Sequence, residues 1–351
     1  MLTKRFVYGL AILTVAISIA ACLVHYNRWS ETIRDVKEEL VFPELAGKLE
    51  SISKIKVSRS EKDDRGSFTI QPYGGIWGIK EKGGYQTRSG VIRETLIGLS
   101  QLVYQEAKTK DPSRHTKLEL SDISNETSRA TRLIIENSQG TILVNALFGK
   151  RLQNLSGGTP SLYMRKTQSP QTWLAKGEIE IRGGILNWLS VVLMSIQRER
   201  LKNIILTSPS GSQLEMFYNK TFERFEIKNL EKGREVKSSF QLLNVGIIPE
   251  HLLLQDVRPA QLKPDTTLGG AQWETVDGLT IKLSLAADKS NIERLWAFVT
   301  VKTSVNASEK VMKEAKEIER KTKGWEFWLG KETIAKLQST ATSLTKVKEA
   351  E

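Results

Sequence analysis

Thiol chemistry is almost absent from this chain: Cys22 is the one cysteine in 351 residues, and it lies in an apolar stretch near the N-terminus. Beyond that stretch a disulfide framework, a cysteine-built zinc site and a cysteine nucleophile are excluded. Histidine is scarce too. His25, His115 and His251 stand far apart, none in a ligand spacing such as H-x-x-x-H. No Gly-x-Ser-x-Gly elbow, Walker loop or dinucleotide fingerprint occurs. Aromatic residues make up 7 % and alternate with aliphatics, so no basic-aromatic stripe for stacking bases is present and no nucleic-acid partner is expected. Runs of five or six like charges are also missing. These absences point to a protein that is not an enzyme and needs no cofactor. A hydrolase assembled from distant carboxylates or a Ser/His pair is the remote alternative.

What the chain does contain is an ordinary globular balance, 39 % hydrophobic and 26 % charged, with length enough for two domains. Lys and Arg number 52 against 40 Asp and Glu, a formal net charge of +12. Such a surplus favours anionic surroundings, although acidic residues interleave with the basic ones along most of the chain.

The N-terminus begins Met1-Leu-Thr-Lys4-Arg5, followed by an uncharged, mostly apolar run from Phe6 to Val24. As a helix this run spans about 28 Å, close to the hydrocarbon thickness of a bilayer. Lys4 and Arg5 should remain cytoplasmic by the positive-inside rule, sending the rest outward, with Tyr26 and Trp29 at interfacial depth. Ile19-Ala-Ala-Cys22 also resembles a lipobox, which makes Cys22 a lipidation candidate, but the apolar run continues through Leu23 and Val24. Simple cleavage is the third possibility. All three place the bulk of the chain outside the cytoplasm.

Ser30 can cap a short helix through Leu40, which Phe42-Pro43 stops. Alternation follows at Ile55/Val57, Phe68/Ile70 and Trp77/Ile79, predicting short strands, and Ser89 to Val103 carries a helical stripe. After a polar stretch from Gln105 to Ser128, Leu133/Ile135 and Ile142/Val144 flank Asn137-Ser-Gln-Gly140, a hairpin signal. Tyr163 to Arg165 predicts a strand and Ile185 to Ile196 a helix.

The second half restarts the plan. Leu201-Lys-Asn-Ile204-Ile-Leu206-Thr207 matches Ile52-Ser-Lys-Ile55-Lys-Val57-Ser58 in type and spacing. Gly211-Ser212 parallels Gly66-Ser67, and Phe225-Glu-Ile227 parallels Trp77-Gly-Ile79. Phe240 to Val245 is helical in pattern, and Leu279–Leu285 with Leu295–Val301 alternates as a hairpin. A degenerate duplication of an α+β unit accounts for this; chance alignment of strand-turn-strand segments is the alternative. Helical stripes return at Val311, Met312, Ala315 and Ile318, and from Lys331 through Ile334, Leu337, Ala341, Leu344 and Val347.

The expected fold is therefore α+β: an N-terminal transmembrane helix, two tandem units with antiparallel sheets, and C-terminal helices. The divisions fall at 1–29 for the anchor, 30–198 and 199–305 for the units, and 306–351 for the helical end. One loop invites a small anion. Ser156-Gly157-Gly158-Thr159 can turn backbone N–H groups toward it, with Lys150, Arg151 and Arg165 adding charge. An ordinary strand connection with surface basics is the simpler account of the same residues.

Several phrases carry a resemblance. Trp77-Gly-Ile79, Gly84-Tyr85, Val91-Ile-Arg93, Leu96-Ile-Gly-Leu99, Leu102, Thr109 and Pro112 succeed one another, followed by Phe148-Gly-Lys150, Tyr163-Met-Arg165, Gln171-Thr-Trp-Leu174, Trp188-Leu189 and Gly324-Trp325-Glu-Phe327. In this the chain resembles the bacterial family termed domain of unknown function 4340. It departs from the family at Gln86, where a proline commonly follows the tyrosine, and in its polar tail. The resemblance implies a membrane-anchored periplasmic protein of the bacterial inner membrane, an accessory to ABC transporter components of the gliding-motility type. A binding module for an anionic envelope polymer or lipid is the alternative that the net charge raises.

Overall fold

The computed structural model describes residues 13–23, 39–153, 158–181, 183–261, 268–288, 291 and 294–348. It is a mixed α+β protein with antiparallel sheets and few helices, divided into two compact units. The first comprises Met1–Pro72 and Ser89–Ile185, the second Tyr73–Arg88 and Leu186–Glu351.

In the first unit β1 (Ile52–Ser58) and β2 (Phe68–Tyr73) form where side chains alternate, with Ile55, Val57, Phe68 and Ile70 buried. The next two strands in the chain, β3 (Ile76–Ile79) and β4 (Tyr85–Gln86), belong to the second unit. Helix α1 (Val91–Ser100) buries Val91, Ile92, Leu96 and Leu99. A side chain at its Gly98 would place Cβ 2.3 Å from the Glu178 carbonyl oxygen, so only glycine lets the helix sit this close. Strands β5 (Val103–Ala107), β6 (Thr131–Asn137), β7 (Ile142–Leu152), β8 (Ser161–Lys166) and β9 (Trp173–Lys176) complete a sheet in the order β2-β1-β6-β7-β8-β9-β5. The outer edge of β5 is covered: Tyr104 N–H donates to Glu39 O at 2.9 Å and Val41 N–H to Leu102 O at 2.8 Å.

The second unit opens with β10 (Val192–Met194), β11 (Leu201–Thr207), β12 (Gln213–Asn219), β13 (Arg224–Ile227) and β14 (Arg234–Val236). After α2 (Ser239–Gly246) come β15 (Leu252–Leu253), β16 (Asp256–Pro259), β17 (Gly270–Thr275), β18 (Leu279–Ala287) and β19 (Leu295–Thr303). Helix α3 (Glu309–Thr322), strand β20 (Trp325–Trp328), helices α4 (Lys331–Leu337) and α5 (Ala341–Leu344), and β21 (Thr345–Val347) end it. The main sheet runs β13-β12-β11-β17-β18-β19-β20-β16. Leaving aside β13, each strand has a counterpart at the same place in the sheet of the first unit. The bulges correspond too: the β1–β6 register slips between Ile52 and Lys54, and the β11–β17 register between Leu201 and Asn203.

Two predicted helices are corrected. Ile185 to Ile196 is a 3-10 turn at Ile185–Asn187 followed by extended chain and β10. Trp188, Leu189, Leu193, Met194 and Ile196 are buried while Leu186 is 40 % exposed, and a short apolar run of this kind cannot be told from a helix by periodicity alone. Its backbone is satisfied laterally, with Leu254 N–H donating to Val191 O and Ile196 N–H to Pro249 O. The last helix stops at Leu337. Thr340 and Ser343 form a capping box that starts α5, and Val347 lies exposed in β21. The helix predicted over Ser89–Val103 is shorter, because Gly90 at φ +82° precedes it and Val103 enters β5.

Much of the expected anchor, and the helix expected from Ser30, lie outside the described residues. Residues 13–23 are helical. Among the described residues no helix is long and apolar enough to cross a membrane.

Candidate functional site

The residues proposed for an anion loop are not brought together. Gly157 lies outside the described residues, while Gly158 and Lys150 are exposed. In the β7–β8 ladder Leu147 stands opposite Arg165, Phe148 opposite Met164 and Arg151 opposite Leu162, with a register shift between Phe148 and Arg151. Opposed residues share a face and neighbours alternate, so Arg165 points with Leu147 while Arg151 points with Phe148, to the other side. Arg165 is buried; its Nη2 donates to Leu120 O at 3.4 Å and its Nε has no partner. Burial lowers its pKa against the opposing pull of Asp122. Arg151 is occupied by carboxylates, Glu178 at 2.8 Å and Glu180 at 3.6 Å. Cys22 is exposed on the helix of residues 13–23.

An opening of about 530 Å³ in the first unit is a groove lined by charged residues, among them Lys62, Asp63, Arg65, Glu119, Glu126 and Arg129. Carboxylates outnumber basic groups in it, with Asp63, Asp64, Glu119 and Glu126 against Lys62, Arg65 and Arg129. Arg65 Nη2 lies 2.5 Å from Asp63, whose carboxyl it holds below the ordinary value, and Lys62 pairs with Glu126. Close by, Arg59 is 4 % exposed and ties three segments together. It donates to Gly66 O at 2.6 Å, to Ile181 O and Gly183 O at 2.9 Å each, and to Thr131 Oγ1 at 3.3 Å. Burial pulls its pKa down to about 10.

The densest chemistry lies in the second unit, on one face of β16, β20 and β19. Register sets it up: Asp256 opposes Trp328 and Arg258 opposes Glu326, so alternate residues of both strands share a face. Arg258 donates to Glu326 Oε1 at 3.1 Å and to Asp288 Oδ2 at 2.7 Å. Its guanidinium stacks 4.0 Å from the centroid of Trp296, whose Nε1 also donates to Asp288 at 3.0 Å. Arg294 lies 4.7 Å from the centroids of both Trp296 and Trp328 and donates to Asp256 Oδ2 at 2.7 Å. Lys82 donates to the other Asp256 oxygen at 2.5 Å.

Burial is the largest single influence on the Asp256 carboxyl and opposes its ionisation. The bonds from Lys82 and Arg294 together outweigh it and leave the pKa below the ordinary value. Three cations thus face three carboxylates, Asp256, Asp288 and Glu326, and the charges cancel. Glu326 is fully buried; its Oε1 also accepts from Gln261 N–H at 2.7 Å, while Oε2, like Arg294 Nε, has no partner.

With every carboxylate in a charge-assisted bond, the cluster offers no free acid or base. It offers instead a stiffened, largely buried array of Trp and Arg, with Trp296 only 3 % exposed. Sequence reasoning missed it because its members are scattered from Lys82 to Trp328. The local signal was the i, i+2 spacing of Asp256 with Arg258 and of Glu326 with Trp328 in strand-like segments. Among the described residues no three His, Cys, Asp or Glu side chains gather to hold a metal ion. No family model, curated protein or solved structure matches this chain.

Proposed function

We propose that this chain is a non-enzymatic interaction module, held in a bacterial inner membrane by residues 6–24, with its two units in the periplasm. There it serves as an accessory component of an ABC-type envelope transport or remodelling system. The observation that carries the anchorage is the helix of residues 13–23. Leu13, Val15, Ile17, Ile19 and Leu23 are 55–60 % exposed. An apolar helix with every large side chain in the open is stable only if lipid or another apolar surface covers it, and Lys4 and Arg5 flank it on the cytoplasmic side.

The resemblance to the transporter-associated family supports the partner class, and the mutual pairing of charges in the Trp–Arg cluster of the second unit makes it a structural element rather than a catalytic one. The excess of carboxylates over basic groups in the groove of the first unit favours this reading over capture of an anionic polymer, which needs basic groups gathered and unneutralised. The matching strand orders and corresponding bulges support descent of the two units from one duplicated α+β ancestor.

Membrane fractionation tests the anchorage. The full chain should remain in the pellet after an alkaline carbonate wash, and Thr14→Lys with Ile17→Lys should release most of it, since each central charge costs about 2.5–3.5 kcal/mol of insertion. A wild-type chain recovered in the soluble fraction contradicts the proposal. Cys22→Ser should change nothing; release by that substitution alone would establish a lipid anchor on the cysteine in place of the spanning helix.

A further inference from the structure

We infer that one end of the main sheet of the second unit is a membrane-contact surface, where the apolar tips of three turns enter the headgroup layer of a phospholipid bilayer. The register gathers the turns. Leu201 stands opposite Thr275 and Leu279 opposite Thr303. Counting along β12 from Met216, which faces Ile204, sets Asn219 level with Leu201. The turns that follow β12, β17 and β19 therefore leave the sheet at the same end. The last two touch, with Ser304 N–H donating to Gly278 O at 2.8 Å. At about 4.8 Å per strand the three turns span roughly 20 Å.

Each turn carries one large apolar side chain away from the core. Phe222 is 63 % exposed, Val276 58 % and Val305 fully. Local bonds fix the turns that present them. Asn219 Oδ1 accepts from the N–H groups of Thr221 and Phe222. Val276 N–H donates to Arg200 O at 2.8 Å, and Ala307 N–H to Ser304 O at 3.1 Å. A single exposed apolar residue needs no explanation, but one on each of three turns at a single sheet end does.

Spacing and charge identify what covers them. The tips stand on separate turns with polar residues between, so they offer a rigid protein no continuous apolar face. Lipid is fluid and closes around separate points. Lys220 and Lys302 are exposed at this end and form no ion pair among the described residues. Their ammonium groups are free to meet lipid phosphates while the stems stay with the apolar tips. Asp277, beside Val276, is neutralised by Arg200 at 2.9 Å, which leaves Glu223 as the one bare carboxylate in the three turns. The inference rests on the anchorage proposed above for keeping a bilayer at hand, and the test keeps the two apart.

The test uses the full chain with Cys22→Ser, so that Phe222→Cys, Val276→Cys or Val305→Cys supplies the only thiol, labelled with an environment-sensitive fluorophore. On vesicles of phosphatidylcholine and phosphatidylglycerol in equal parts, each label should brighten at least about twofold, and lipid brominated near the headgroup should quench it. A label placed by Ser210→Cys, in the turn between β11 and β12 at the opposite end of the sheet, should do neither. The same labels are read in the Thr14→Lys/Ile17→Lys chain with vesicles in excess. There Phe222→Ser with Val305→Ser should weaken vesicle binding at least about fivefold. A wild-type chain that fails to float with vesicles while the tips brighten in excess lipid refutes the anchor and upholds the contact surface. A chain that floats with unresponsive tips does the reverse. Binding unchanged by the two serines would overturn the contact surface, as would tips that stay dim on vesicles yet cross-link to a membrane protein, which assigns them to a protein partner.

Discussion

Arg258→Met is expected to lower folding stability by about 3–5 kcal/mol, the usual consequence of removing one partner from a buried ion pair. The carboxylate left behind is the reason. Glu326 has no solvent exposure, one of its oxygens is already without a partner, and the other would keep only the Gln261 N–H. Asp288 would lose the Arg258 guanidinium as well and retain the indole of Trp296. Methionine fills much of the space over the Trp296 ring, so the loss reads on charge rather than volume. Thermal unfolding should fall by roughly 6–20 °C in a unit of this size. Adding Glu326→Met to the same chain should recover at least half of the loss, because replacing both members of a buried pair is often nearly neutral. A single variant within about 1 kcal/mol of wild type would mean that water reaches Glu326.

Arg59→Leu should cost about 3 kcal/mol, by a different route. Its guanidinium spans the carbonyls of Gly66, Ile181 and Gly183 and the hydroxyl of Thr131. Leucine would leave the Ile181 carbonyl buried without this donor, and each such orphan costs about 1–3 kcal/mol. Lysine should recover less than half, because one ammonium cannot reach acceptors that a planar fork reaches together. The urea midpoint of the three proteins measures this directly. Full rescue by lysine would show that only the positive charge near Asp63 matters.

How much of this was legible in the sequence follows from the range of the forces involved. Alternation at Ile55/Val57, Leu133/Ile135 and Ile142/Val144 located strands that the structure contains, because side chains on a half-buried sheet obey a period of two. The Asn137–Gly140 turn was legible for the same local reason, with Gly140 at φ +79°. Ile185–Ile196 is not a helix, because a short apolar run fits a helical stripe and an extended segment equally well.

Arg151 and Arg165 were grouped by nearness in sequence, but a register shift in β7 turned them to opposite faces, and such a shift depends on the partner strand. The Arg258–Trp296–Arg294 stack was invisible for a related reason. Its members meet only after strands far apart in the chain have paired. The grouping of residues 73–88 with the second unit has no local signal either.

The central claim is that the chain works through a membrane partner of the ABC transporter class. The most direct measurement is affinity capture of the tagged full chain from cross-linked, detergent-solubilised membranes, read by mass spectrometry. Transporter subunits should be recovered with the wild-type chain and lost with the Thr14→Lys/Ile17→Lys variant. Repeated recovery of the wild-type chain without any transporter subunit would contradict it.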